Sequence, residues 1–131
     1  EFNVETTRRT QAVNVTAEVQ EALSGAAADA AAAVVYVPHT SAGVVIQEHA
    51  DPAVGTDLEM AFERIVDSDW PWEHLEEDDL NPWSHARAAL TASSVVIPMC
   101  EGALALGTWQ GIFFCEFDGP RTRTVYVATL A

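Results

Sequence analysis

The chain has 131 residues, the size of one domain spanning 1–131, and sets 20 acidic residues against six arginines and no lysine, a formal net charge of −14. That balance excludes a broad basic groove for nucleic acid and disfavours anionic membrane surfaces, since both need clustered positive charge. No run of 18 apolar residues and no leader-like segment is readable, so a soluble, cytoplasmic protein is expected, with an acidic surface suited to concentrated salt.

In chain order, "EFNVETT" and "AVNV" read as strand-like pieces. "TAEVQEALSG" follows with Thr16 as N-cap, Val19 and Leu23 at helical spacing and a terminating Gly25, which predicts a short amphipathic helix. "AVVYV" is a β-branched and aromatic run too short for a helix and ends at Pro38; "SAGVVIQE" is a second buried strand. Asp51 and Pro52 then form a helix start, and Val54, Leu58, Phe62, Ile65 and Val66 make one apolar stripe, predicting a helix over 52–66 whose face covers a sheet. The segment 67–83 holds three tryptophans and no period and reads as a long functional loop, before Asn81 and Pro82 open a helix carrying His85 and Arg87. The remainder reads as sheet: "SVVIP", a turn at "MCEG", a long run to Phe117, a turn at "DGPR" and a final strand. Alternation puts Trp109, Phe113, Cys115 and Phe117 on one face of the long run and Gln110, Ile112, Phe114 and Glu116 on the other. The result is an α+β domain with two or three helices on a mostly antiparallel sheet. Cys100 and Cys115 lie outside any CxxC spacing and read as small buried hydrophobes.

The chemistry concentrates in "VPHTSAGVVIQEHADP", where His39 follows one strand and Glu48 and His49 end the next. His85 falls in the first turn of a helix, whose positive end disfavours imidazolium and keeps a neutral nitrogen available. His74 lies upstream in the tryptophan-rich loop, and no histidine spacing is a zinc signature. Three neutral imidazoles would leave the fourth position of Zn²⁺ open for a water acidified to about pKa 7, with Glu48 moving a proton or holding a ring nitrogen. The plain alternative makes Glu48 an exposed strand end. Ser41 stands beside His39 without a nucleophile elbow, which disfavours a serine hydrolase. In "GTWQG", Trp109 and Gln110 read either as wall and hydrogen-bonder of a ligand site or as part of a bulged strand.

The stretches "HTSAGVVIQEHADP", "WEH", "SHARAAL" and "GALALGTWQGIFFCEFDGPRTR" resemble, in that order, the pattern of the YjbQ family, also described as secondary thiamine-phosphate synthases. The resemblance covers residues 34 to 129. It implies a homotrimer with a metal and phosphate site near subunit boundaries, His39, His74 and His85 as metal ligands and Glu48 at the acidic position. His49 stands where relatives often have Asn, so it lines the site instead. The implied activity joins a pyrimidine diphosphate to a thiazole phosphate, releasing pyrophosphate. The expectation carried forward is a metal-dependent enzyme acting on a phosphorylated or otherwise anionic small molecule. A divalent cation, better zinc than magnesium for three imidazoles, sits on those histidines, and Glu48 is the catalytic residue that handles a proton beside it. Ser41, His49, Arg87, Trp109, Gln110 and Arg123 bind substrate. A metal-dependent hydrolase and a trimeric metal- or cofactor-binding protein without turnover are the alternatives.

Overall fold

The computed structural model describes residues 1–76 and 80–131. The elements run β1 (Phe2–Glu5), β2 (Gln11–Asn14), α1 (Thr16–Ala22), β3 (Ala32–Tyr36), β4 (Ala42–Glu48), α2 (Pro52–Ile65), α3 (Pro82–Ala89), β5 (Ser94–Cys100), β6 (Ala103–Leu104), β7 (Gln110–Glu116) and β8 (Thr122–Leu130). The α+β class holds, but the strands form two sheets where one was expected. A five-stranded sheet has the order β1-β8-β3-β5-β6 and a three-stranded sheet the order β2-β7-β4, with every strand pairing antiparallel.

The alternation in "IFFCEF" dictates how the layers stack. Ile112 and Phe114 point from β7 into the main core, with Val35, Ile97 and Val125 of the larger sheet, Val19 of α1 and Leu23 at its C-cap. Phe113, Cys115 and Phe117 form a second cluster on the opposite side, against Phe62 of α2 and Ala88 of α3. The order is therefore large sheet, core with α1, small sheet, then α2 and α3, and β7 is buried on both faces. The outer face of the large sheet is left bare: Tyr36, Val96, Tyr126 and Leu130 are all exposed there.

Local chemistry sets the element ends. Asp51 caps α2 by accepting the Ala53 N–H at 2.9 Å, with Pro52 at the first helical position, as the sequence predicts. The cap of α1 differs, because Val15 rather than Thr16 holds that place. Asn14 Oδ1 accepts both the N–H and the hydroxyl of Thr16, whose Oγ1 in turn accepts the Ile112 N–H at 2.8 Å. Thr16 thus ties α1 to β7. Helix α2 contains no fully buried residue; Phe62 meets Phe117 edge-on at 5.1 Å while Ile65 remains exposed. The turn between β5 and β6 places Glu101 and Gly102 at φ of 51° and 80°, the left-handed pair of a tight hairpin.

The expected long loop 67–83 shortens at its end, where α3 begins at Pro82; its residues 77–79 lie outside the described residues. Trp70 and Trp72 pair within it at 5.8 Å, and Trp72 Nε1 donates to the Asp67 carbonyl. Of the two cysteines, Cys115 is buried and its thiol pKa is pushed up to about 12 by that burial. Cys100 is exposed, contrary to expectation, because it ends β5 on the uncovered side. Among the described residues, no helix is long and apolar enough to cross a membrane.

Candidate functional site

Strand β4 separates the expected site residues into two groups. His39 precedes the strand and Glu48 ends it, so six residue steps of about 3.3 Å put roughly 20 Å between its ends. The register agrees: Ala42 lies opposite Glu116 and Glu48 opposite Gln110. Within one chain, then, Glu48 does not share a site with His39, which corrects the expected convergence.

The group at the start of β4 lines a cleft of about 310 Å³ made by Pro38, His39, Thr40, Ser41, Asn81, His85, Asp118, Arg121 and Arg123. His39 Nε2 accepts the backbone N–H of Thr124 at 3.0 Å, two residues past the last β3–β8 pair, Tyr36 with Tyr126. A neutral imidazole carries one proton, so in His39 it lies on Nδ1, which is a donor. Burial and then the nearby Arg123 charge hold the His39 pKa below its usual range, which keeps this form. His85 has the opposite arrangement. Its Nδ1 faces the Thr40 carbonyl at 3.0 Å and must donate to it, leaving Nε2 as the nitrogen without a protein partner among the described residues. His74 lies beside His85 with ring centroids 5.2 Å apart, on the exposed side.

These roles do not fit a three-histidine zinc shell. A metal needs a free lone pair on each imidazole, and His39 has committed one nitrogen to Thr124 and the other to a proton. Among the described residues, no three His, Cys, Asp or Glu side chains are grouped to hold a cation.

Behind the cleft lies a buried ion pair that the sequence reading did not single out. Glu116 has no exposed surface and pairs with Arg123 through both carboxylate oxygens. It also accepts the Thr6 hydroxyl at 2.8 Å and the N–H groups of Phe117 and Asp118. Burial alone raises the Glu116 pKa, but the bonds from Arg123, Asp118 and Thr6 outweigh it and leave the carboxyl below its ordinary range. Arg123 reaches Ser41 as well, donating to its Oγ at 2.9 Å. Ser41, expected to bind substrate, is thereby a buried partner of Arg123. The signal for Glu116 was available, since alternation puts it on the same face as Ile112 and Phe114.

Arg87 leaves the expected substrate set altogether. It is 4% exposed and donates through Nε and Nη2 to the Val66 carbonyl, at 3.2 and 2.8 Å, and to the Glu63 carbonyl at 3.4 Å. Its task is to hold the C-terminal end of α2, where carbonyls lack helical partners.

The group at the far end of β4 is organised separately. Gln110 Oε1 accepts the Gly107 N–H at 2.8 Å and so closes its own turn, with Trp109 63% exposed at the tip. The His49 ring lies against Gly111, where a Cβ would come within 2.6 Å of its side chain. It faces Asn14 Nδ2 at 3.4 Å and lines a second hollow of about 300 Å³ with Arg8, Asp51, Glu59 and Phe113, away from the His39 cleft. His49, Trp109 and Gln110 therefore do not join His39 and His85 within one chain.

Comparison with known proteins places this geometry in a family. The UPF0047 protein YjbQ-like family matches residues 1–131. UPF0047 protein YugU of Bacillus subtilis (strain 168) is 40% identical over 128 residues, 96% of this chain and 94% of the relative. The crystal structure of an uncharacterized conserved protein of the YjbQ/UPF0047 family from Clostridium acetobutylicum superposes with a TM-score of 0.91 at 36% identity, covering 98% of each chain. A hypothetical protein of Aeropyrum pernix K1 gives a TM-score of 0.91 at 41% identity, over 99% of this chain and 96% of that one. With the match running end to end through both groups of residues, the chain belongs to the YjbQ/UPF0047 family.

Proposed function

We propose that the His39–His85 cleft binds a phosphorylated small molecule and transfers a group from it, with thiamine-phosphate synthesis as the reaction class the family resemblance names. The observation that carries this reading is the pair of imidazoles in one cleft with opposite nitrogens engaged, His39 through Nε2 and His85 through Nδ1, which turns His39 Nδ1–H and His85 Nε2 to the ligand. Such a pair can hydrogen-bond to the charge on a departing phosphate oxygen through His39 and accept a hydrogen bond from the ligand through His85, while the thiazole nitrogen attacks through its own lone pair and has no proton to lose. Two of the six arginines, Arg121 and Arg123, line the same cleft, which makes it a place where a chain of net charge −14 can admit an anion. Their charges are balanced by Asp118 and Glu116, so they orient an anion more than they attract it from afar.

A homotrimer belongs to the same proposal. The outward positions of β3, β5 and β8 that carry Tyr36, Val96, Tyr126 and Leu130 include no Asp, Glu or Arg, although acids abound elsewhere. An acidic chain meets its own copies with least repulsion on such a face. A neighbouring copy could then present Glu48, Trp109 and Gln110 to the cleft that lacks them.

The test is condensation of a pyrimidine diphosphate with a thiazole phosphate, with product analysis repeated without the thiazole to expose hydrolysis. His39→Gln and His85→Gln should each lower turnover by roughly 10²- to 10³-fold while the protein stays folded. Unchanged turnover in both variants would sink the reading.

A further inference from the structure

His39, Thr40 and His85 line two cavities at once, the arginine cleft and an adjoining hollow of about 300 Å³. Ala88 and Ala89 at the end of α3, with Thr91 and Ser93 after it, form most of the remaining wall of that hollow. The helix repeat puts them there. Ala88 and Ala89 stand three and four positions past His85, on the same helix face one turn further on, whereas Arg87 between them is turned away to the end of α2. Alanine at both positions leaves open a space beside the imidazole that a longer side chain would occupy, and Ala89 is exposed.

The two cavities differ in charge. Arg121, Arg123 and Asp118 line the first, but no Asp, Glu or Arg lines the second, in a chain that carries 20 acids. Thr91 adds little polarity to it, since its hydroxyl donates to the Ala88 carbonyl at 2.7 Å and lies against Gly43. A phosphate placed there would lose water and meet no cation, whereas an uncharged group gains by leaving water. The volume stands at the lower end of the range for small-molecule sites, about 300–1,000 Å³, which suits one ring rather than two. We infer that the adjoining hollow is the subsite for the uncharged part of the phosphorylated ligand and that Ala89 is a specificity-determining residue, limiting the size of what fits. This rests on the phosphate-binding reading above and adds the part of the ligand that the reading leaves open. The ligand class is a phosphate ester or diphosphate of a compact alcohol, with a single uncharged ring or an apolar group of that size. With the phosphate among the arginines and the ring beside Ala89, the two imidazoles stand at the junction of the halves, next to the bridging oxygen that the proposed reaction releases.

The experiment compares two phosphate monoesters of like charge, phenyl phosphate and methyl phosphate, by calorimetric titration of the full chain. Phenyl phosphate should bind about tenfold tighter, because only its ring can leave water in the hollow. In Ala89→Leu, which fills the space with a good helix former, the two affinities should fall within about twofold of each other, with methyl phosphate binding as before. Ser93→Leu narrows the hollow from another part of its wall, should act alike, and serves if the first variant does not fold. Equal affinities in the unaltered protein, or a preference that survives in either folded variant, overturn the inference and leave the phosphate reading standing. If neither ester binds, both fall together.

Discussion

Glu116 and His39 share a logic: each is held in one protonation state by what surrounds it, and each resists acid. Both pKa values lie below the ordinary ones, 4.5 for the carboxyl and 6.5 for the imidazole. A lowered folded pKa means that the unfolded chain binds more protons, so the stabilisation is full above the ordinary value and is lost as pH falls through the folded one. Stability should therefore decline in two stages on acidification, the first beginning near pH 6.5 with His39 and the second below pH 4.5 with Glu116. Urea midpoints measured from pH 8 to 3 check this, and His39→Gln should flatten the first stage only. A curve that is flat down to pH 4.5 would contradict the role given to His39. The sequence reading brought His39 and Glu48 to one site, although the strand it recognised between them carries the chain from one end of a sheet to the other. The protonation roles were not legible there, since they depend on Thr124 and Thr40, partners that no pattern in the chain announces.

At the level of elements, α2 is attached more by its ends than by its face. Asp51 caps its start, no residue of it is fully buried, and Arg87 from α3 holds its last carbonyls. A hydrogen bond involving a charged group contributes roughly 1.5–3 kcal/mol net. Arg87→Met, which keeps the bulk and removes the donors, should lower stability by about 2 kcal/mol in chemical denaturation. Aryl phosphate affinity should stay unchanged, because Arg87 lies outside the cleft. Lost affinity with intact stability would return Arg87 to the substrate set. The helix itself was readable from Asp51-Pro52 and the Phe62 stripe. The destination of Arg87 was not, because a cation at the sixth position of a helix looks the same whether it faces an anion or a neighbouring helix end. In β4, Gly43 admits Thr91 so closely that a Cβ would fall 1.8 Å from its hydroxyl oxygen, which lets the end of α3 settle onto the small sheet. A glycine inside a strand signals such an approach without naming the visitor.

For the molecule as a whole, the sequence carries class but not layering. Alternation identifies the two faces of each strand, and β7 fulfils it on both sides. It does not say which strands are neighbours, so one antiparallel sheet was expected where two are found. Charge was more informative. With 20 acids, six arginines and no lysine, self-repulsion opposes the compact state and is screened over about 10 Å at 0.1 M salt and about 3 Å at 1 M. The thermal midpoint should accordingly rise on going from dilute buffer to molar KCl, as followed by circular dichroism. A midpoint that falls or stays level would show that the acidic surface is not a burden the protein needs salt to relieve.

The rung that His39 adds beyond the end of β3 gives the molecule a seam that opens chemically rather than mechanically. A peptide carbonyl in that place would hold the Thr124 amide at any acidity, but an imidazole withdraws its lone pair once a proton arrives. Fraying at the N-terminal end of β8 is thus coupled to the same nitrogen heterocycle that faces the cleft, and whatever fixes that ring's proton also fastens the strand beside it.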